Sequence, residues 1–334
     1  MINLNKKAVL LLIVLLFIML VCAKTFAAQD TVRLTFAGGP QGGTWNLIAA
    51  ALSEEIKKQI PGSMVTVLPG GSATNFLMVA NGEADIGLCH PFIAMQGYQG
   101  IGEFEGRDPV KNVMGLTKMY EVYWQYAARK DLPVSNFKEL KEKQYPIRQC
   151  VYAVGNLAEI ITRMVFDNFG FTYDDIKSWG GVITYAGVND AISLITDGHA
   201  DSFTPLFPFP AAQIVQLQQS RDINIWSIDE ENMKVLEAQG FGKAVIPAGT
   251  YEGIDYDVIT VSAPVFLIAR EDLSEDIIYD VTKAYVEARE KFAASISDQL
   301  DDFPIEALPV GLGLPIHPGA KRYFEEEQGI VFKE

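Results

Sequence analysis

The sequence predicts an α/β protein of two lobes around a cleft, with two strands that cross between the lobes. Apolar strand patterns alternate with helix patterns in both halves of the 334-residue chain, and glycine-rich turns join them. Alternation of this kind favours a parallel sheet with right-handed crossovers. Two similar apolar segments, Tyr123–Leu132 and Pro264–Leu273, each contain a basic residue followed by Asp-Leu. We interpret them as the connecting strands.

The first α/β series runs from Val32 to Cys89. Its helix after Thr44 carries apolar residues at a spacing near 3.6 and stops at Pro61-Gly62, and the next helix follows Ser72 and ends at Asn81-Gly82. The predicted strands are Val32–Ala37, Met64–Leu68 and Asp85–Cys89.

A second series follows between Tyr145 and Thr204. Its predicted elements are strands at Tyr145–Val154, Val182–Tyr185 and Ala200–Thr204, and helices at Leu157–Phe169 and Val188–Thr196. A later helix, Ser274–Ala293, is expected to pack back on the first lobe. The predicted bounds are therefore 29–131 with 259–334 for the first lobe and 132–258 for the second. Two separate consecutive domains are the alternative, but no Pro/Gly/Ser linker supports them.

The N-terminus has the pattern of an export signal over residues 1–28. Lys6 and Lys7 precede an apolar run from Ala8 to Ala23, and small residues surround Ala27 and Ala28. We expect cleavage near Ala27 and a periplasmic protein; an uncleaved anchor is the alternative. Cleavage leaves 24 basic against 42 acidic residues, a net charge of −18. Such a surface disfavours nucleic acids and anionic membranes as partners.

The cysteines and histidines limit the kinds of metal or catalytic site that the sequence can predict. Cys89 and Cys150 remain in the mature chain, and whether they are free or paired stays open. No Cys/His spacing indicates zinc, so neither a metal nor a cofactor is expected. The three histidines fit no Ser–His–acid arrangement, and no Gly-x-Ser-x-Gly occurs, so the sequence does not predict an enzyme.

The two glycine-rich turns indicate an anion site. Gly38–Thr44 and Gly70–Asn75 each follow a strand and precede a helix, where free N–H groups and the helix dipole attract negative charge. Neither turn is a Walker loop, because no lysine follows the glycines. The alternatives are a tight turn at the first position and, at the second, a Ser72 that only caps its own helix.

Several motifs, taken in order, resemble the substrate-binding proteins of TRAP transporters in the TAXI branch. The resemblance covers residues 32–330. Its motifs are Gly42-Gly43-Thr44-Trp45, Gly71-Ser72-Ala73-Thr74-Asn75, Asn81-Gly82-Glu83-Ala84-Asp85, Ile195–Asp201, Ile246–Tyr251 and Leu314–Phe324. The resemblance implies a type II periplasmic binding protein that captures a small organic anion, such as glutamate or a related dicarboxylate, for a membrane permease.

The chain departs from the family pattern in two predicted cleft loops. His90-Pro91-Phe92 and Gly155–Glu159 replace small polar stretches with bulkier residues, which favours a less polar acid than glutamate. We expect backbone N–H groups of Gly43, Thr44 and Trp45 and of Ser72 to Asn75 to hold a carboxylate. His90 and Asn156 would add hydrogen bonds. The side chains expected to cover the ligand are Trp45, Phe92, Tyr185 and Phe207.

The sequence therefore predicts a monomeric solute receptor for a small organic acid, with a TRAP permease subunit as its partner. A sensory or accessory binding protein and, in another class, an enzyme on the same scaffold are the alternatives. The identity of the ligand stays open.

Overall fold

The computed structural model describes residues 31–41 and 43–332. The predicted signal segment and Gly42 lie outside the described residues. In this part of the chain the strands are β1 (Arg33–Ala37), β2 (Met64–Leu68), β3 (Ile86–Cys89), β4 (Val113–Trp124), β5 (Tyr126–Arg129), β6 (Arg148–Val151), β7 (Val182–Tyr185), β8 (Ser202–Phe203), β9 (Leu206–Phe207), β10 (Ile223–Trp226), β11 (Gly242–Ile246) and β12 (Val258–Arg270).

The α-helices of the same residues alternate with these strands. They are α1 (Thr44–Gln59), α2 (Ser72–Ala80), α3 (Pro91–Gln99), α4 (Phe137–Glu142), α5 (Leu157–Asn168), α6 (Tyr173–Ser178), α7 (Val188–Thr196), α8 (Ala212–Gln218), α9 (Glu230–Ala238), α10 (Glu275–Glu287), α11 (Arg289–Ser295) and α12 (Pro318–Gln328).

Two sheets form the two lobes. The first has the order β2-β1-β3-β12-β4-β9, with β11 paired to β12, and the second has the order β10-β5-β8-β6-β7. β1, β2 and β3 run parallel, so their carboxyl ends share one edge. β6 runs parallel to β7 and β8 in the second sheet. The predicted two-lobed α/β fold is confirmed.

The connecting strands differ from the prediction. The first predicted connector breaks at Gln125, because β4 belongs to the first sheet and β5 to the second. The second, Pro264–Leu273, does not cross between the sheets: its residues up to Arg270 lie in β12, which pairs with β3 and β4 inside the first sheet. The chain returns to the first sheet through β11, which pairs with the start of β12. The exact lobe bounds stay a prediction.

Gln125 holds the junction between the sheets. Its fully buried side chain donates from Nε2 to the Phe207 carbonyl at 3.2 Å and accepts from the Tyr251 hydroxyl at 2.5 Å. Beside it, the Thr260 hydroxyl donates to the Trp124 carbonyl. Buried polar groups that are fully bonded specify one arrangement of the backbone, so this junction positions the two lobes.

Helix packing follows the apolar spacing. In α1, Ile48, Leu52 and Ile56 are fully buried, as the spacing predicts. The long helix predicted at Ser274–Ala293 instead ends at Glu287 and resumes as α11. Its N-cap is Ser274, whose hydroxyl accepts from the Ile277 N–H at 3.3 Å.

Candidate functional site

Three helix N-termini meet at the carboxyl edge of the first sheet. α1, α2 and α3 follow β1, β2 and β3, with Gly43, Gly71 and His90 as their N-cap residues. None of these three N-termini has a side-chain cap, and none has an acidic residue in its first turn. The first N–H groups of a helix have no acceptor inside it. This edge therefore presents partial positive charge without a carboxylate of its own.

The turn before α1 uses one of the predicted donors internally. The Gly43 N–H donates to the Pro40 carbonyl at 3.0 Å. The prediction that this N–H group donates to a ligand is therefore wrong. The N–H groups of Thr44 and Trp45 follow it at the helix start. A Cβ on Gly39 would lie 2.5 Å from the Trp45 Cβ, so glycine is required for Trp45 to fold back over this turn.

The turn before α2 differs in its cap. The sequence suggests Ser72 as the capping residue, but the N-cap is Gly71 and Ser72 is the first helical residue, almost fully buried. The Asn75 Oδ1 accepts from the Gly71 N–H at 3.0 Å in place of a serine cap. The N–H groups of Ser72, Ala73 and Thr74 remain in the first turn of the helix.

Asn75 is a structural residue. Its side chain is 0% exposed, and Nδ2 donates to the carbonyls of Ala37, Gly38 and Leu88 at 2.7–3.0 Å. These bonds tie α2 to the ends of β1 and β3 and leave no amide hydrogen for a ligand. The prediction that Asn75 faces the anion is therefore wrong.

His90 stands between α1 and the central strand β12. Its Nδ1 lies 2.9 Å from the Pro264 carbonyl oxygen, and its ring centroid lies 5.2 Å from that of Trp45. The residue is 4% exposed. Burial lowers the pKa of His90 to about 4, partly offset by the bond to Pro264, so the ring is neutral at neutral pH.

Two aromatic contacts extend the site. Phe92, in the first turn of α3, stacks on Phe241 with ring centroids 4.3 Å apart. Burial raises the pKa of the Tyr120 hydroxyl, which the Trp45 side chain partly offsets by a hydrogen bond. Phe241 and Pro264 are neighbours that sequence reasoning missed, because both are distant in sequence and carry no local motif.

The other predicted ligand-contacting residues, Asn156, Tyr185 and Phe207, lie on three separate elements. Asn156 is the N-cap of α5, and its Oδ1 accepts from the Ala158 N–H at 2.9 Å. Tyr185 ends β7 with 52% of its surface exposed. Phe207 lies in β9 opposite Tyr123, beside the junction of the two sheets. Their roles in ligand contact stay predictions.

The arginines nearest to these elements are already paired. Arg148 donates to both Asp201 oxygens, at 3.0 Å from Nε and 2.5 Å from a terminal nitrogen. Arg163, on α5, contacts Glu159 at 2.8 Å and Glu103 at 2.9 Å. Glu103 follows α3 in the first lobe, so the Arg163–Glu103 pair joins the two lobes. No local pattern indicates this contact, because its two residues are 60 positions apart.

The two cysteines of the predicted mature chain are buried. Cys89 and Cys150 are buried free thiols. Burial raises the pKa of the Cys89 thiol well above its usual range.

Among residues 31–41 and 43–332, no group of three His, Cys, Asp or Glu side chains is arranged to hold a metal ion. The same residues contain no helix with the length and apolarity needed to cross a bilayer.

Several solved structures share this fold. A periplasmic transporter structure aligns with a TM-score of 0.54 at 13% identity, covering 91% of this chain and 95% of that one. MatC from Rhodopseudomonas palustris with bound malate gives 0.53 at 14% identity, covering 89% and 97%. The periplasmic binding protein BugD gives 0.52 at 15% identity, covering 89% and 93%. A family model matches residues 36–329, and the chain belongs to the NMT1-like family.

Proposed function

We propose that this protein is a solute-binding receptor that captures a small organic carboxylate outside the cytoplasm and delivers it to a membrane transporter. The observation that carries the proposal is the edge where α1, α2 and α3 begin. Three helix N-termini without side-chain caps or first-turn acids converge there, opposite a second lobe. Such termini bind anions through N–H groups and the helix dipole.

The proposed anion site is made of neutral donors. The N–H groups of Thr44 and Trp45 from α1 and of Ser72 and Ala73 from α2 would hold the carboxylate. Arg148 and Arg163 are already occupied by carboxylates of the protein. Ligand affinity should therefore depend weakly on salt compared with a site clamped by arginine.

The structural relatives support this class of function. One of them holds malate, a small dicarboxylate, in its solved structure. The proposal carries over the chemistry of a small organic acid but not the identity of that ligand. We further propose cleavage of the signal segment near Ala27, a periplasmic location, the TAXI branch of the family, a monomeric receptor and a TRAP permease subunit as partner.

The groups at this edge do not favour the alternative that the protein is an enzyme. The Cys89 thiol lies next to His90 in sequence, but its Sγ contacts the backbone carbonyls of Ser72 and His90 and its raised pKa keeps it protonated. A thiol is a weak nucleophile in that state. The His90 Nδ1 bonds to Pro264 and so does not activate the thiol. Binding without turnover is the better-supported function.

A carboxylate placed at one of the uncapped N-termini tests the proposal. Thr74 is exposed in the first turn of α2, and Thr74→Asp should weaken binding of organic acids at least about tenfold by charge repulsion. An acid in a first turn stabilises its own helix, so the melting temperature should hold or rise. The matched control is Asn189→Asp, in the exposed first turn of α7 in the second lobe.

Calorimetric titration with a panel of mono- and dicarboxylates measures the effect. Weaker binding in the Thr74 variant with a near-normal control supports the site. Equal affinity in wild-type protein and the Thr74 variant would move the anion elsewhere. Absence of binding by every acid in wild-type protein would reject the carboxylate receptor.

A further inference from the structure

The ring of His90 has one nitrogen committed and one open. Nδ1 is 2.9 Å from the Pro264 carbonyl oxygen, whereas in the described part of the chain no protein atom forms a hydrogen bond with Nε2. The side chain is more than nine-tenths buried and lies beside Trp45 at the start of α1. It therefore stands among the same helix N-termini that are proposed to hold the carboxylate.

The Pro264 contact fixes the tautomer of His90. A carbonyl oxygen can only accept a hydrogen bond, so Nδ1 must carry the hydrogen. A neutral imidazole has one donor and one acceptor nitrogen, which leaves a lone pair on Nε2. His317 shows the opposite arrangement, because its Nδ1 accepts from the Gly319 N–H at 3.1 Å and its Nε2 is enclosed.

We propose that the ligand carries a hydrogen-bond donor close to its carboxylate and that His90 Nε2 accepts from it. The ligand class is then hydroxy acids or amino acids, whose hydroxyl or ammonium group is adjacent to the carboxylate, in preference to the corresponding unsubstituted acids. This inference rests on the proposed function and deepens it. It gives a direction to the hydrogen bond that the sequence predicts for His90.

The competing arrangement is a protonated His90 that donates to the carboxylate itself. Burial holds the pKa of His90 at about 4, so this arrangement requires proton uptake when the ligand binds at neutral pH. The two arrangements therefore differ in proton stoichiometry as well as in ligand preference.

Pairs of acids that differ by one donor group test the preference. The probes are L-malate against succinate, L-lactate against propionate and L-glutamate against glutarate. The unsubstituted member offers Nε2 no donor once the ligand covers it, which should weaken its binding about five- to hundredfold relative to the substituted member. His90→Phe should bring this ratio close to one. The matched control is His317→Asn, which keeps a favoured N-cap on α12 and should keep the ratio.

Two measurements on wild-type protein keep the test independent of how the variants fold. Titration in buffers of different ionisation enthalpy should show no net proton uptake at pH 7. The ¹⁵N spectrum of labelled histidine should show a protonated Nδ1 and an unprotonated Nε2 at His90 in the complex. Equal affinity within every pair, or one proton taken up per ligand, would overturn the inference while leaving a carboxylate receptor. Failure of all six acids to bind would overturn the proposed function as well.

Discussion

The helices that follow parallel strands begin differently in the two lobes. In the first lobe, the N-termini of α1, α2 and α3 have neither side-chain caps nor first-turn acids. In the second lobe, α5 is capped by Asn156 and carries Glu159 in its first turn, and α7 carries Asp190. The protein places its own polar or acidic side chains at the helix starts after β6 and β7, and none at the helix starts after β1, β2 and β3.

This difference indicates an order of events. Under the proposed function, a ligand carboxylate would be attracted first to the edge of the first lobe, and the second lobe would then close over it. Closure of this kind is a shift between two arrangements of the lobes, driven by contacts made only when the cleft is shut. The comparison between the lobes can be tested residue by residue.

Two asparagines give the largest expected difference. Asn75→Ala removes the side-chain acceptor of the Gly71 N–H and the amide donor shared by the carbonyls of Ala37, Gly38 and Leu88. We expect a loss of roughly 2–4 kcal/mol in the free energy of unfolding. Asn156→Ala removes one cap from a half-buried position and should cost about 1 kcal/mol. Urea unfolding of both variants measures the difference.

The same two variants separate structure from binding. Titration of folded Asn156→Ala should show a modest loss of affinity if its free Nδ2 reaches the ligand. A small stability effect for Asn75→Ala together with a large loss of affinity would show that Asn75 contacts the ligand and is not mainly structural.

The pH dependence of stability is the next largest effect. His90 has a folded pKa of about 4, below its usual 6.5, so the unfolded chain binds more protons between these values. Its contribution to stability is therefore present above pH 6.5 and lost as the pH falls toward 4. Between pH 7 and pH 4.5 this residue should account for a loss of roughly 2–3 kcal/mol.

Comparison with His90→Phe isolates this contribution. Burial also lowers the pKa of His317, which adds a loss of the same sign, and raises the pKa of Glu121, which acts in the opposite direction. Because these groups are common to both proteins, the difference between their unfolding free energies reports His90. Parallel pH profiles for the two proteins would show that His90 is not buried as a neutral ring.

Local patterns were enough to predict the first lobe's framework. The apolar spacing of α1, the short strands β1 to β3 and the glycine turns between them are each encoded within a few residues. The proposed position of the anion site, at the shared strand edge, rests on the same local signals. The Asn75 role did not, because a helix N-terminal amide looks the same in sequence whether it faces a ligand or three backbone carbonyls.

Contacts between distant segments were the part that the sequence could not predict. Pro264 fixes the tautomer of His90 across 174 positions, and Phe241 stacks on Phe92 from a distant part of the chain. The long strand β12 was taken for a connector because an apolar run does not reveal its partners. Register and partner choice depend on the whole sheet, so they appear only when the strands are assembled.

The smallest expected effect concerns the pair that joins the lobes. Arg163 on α5 contacts Glu103 of the first lobe at 2.9 Å, and both side chains are partly exposed. Such pairs contribute about 0.2–1 kcal/mol. Glu103→Gln should therefore weaken ligand binding by about two- to fivefold, because it removes a contact that favours the closed arrangement. It should also increase the radius of gyration of the ligand-free protein in solution scattering.

Glu139→Gln is the matched control for that pair. It breaks the Glu139–Lys143 pair on α4, which lies within the second lobe and spans no cleft. The control should leave both affinity and scattering unchanged, since its contacts are the same in any arrangement of the lobes. Arg163 keeps Glu159 as a partner in the Glu103 variant, so the fold of α5 is preserved and the measured change reports closure. Identical scattering and affinity for the two variants would mean that the Arg163–Glu103 pair does not influence the arrangement of the lobes.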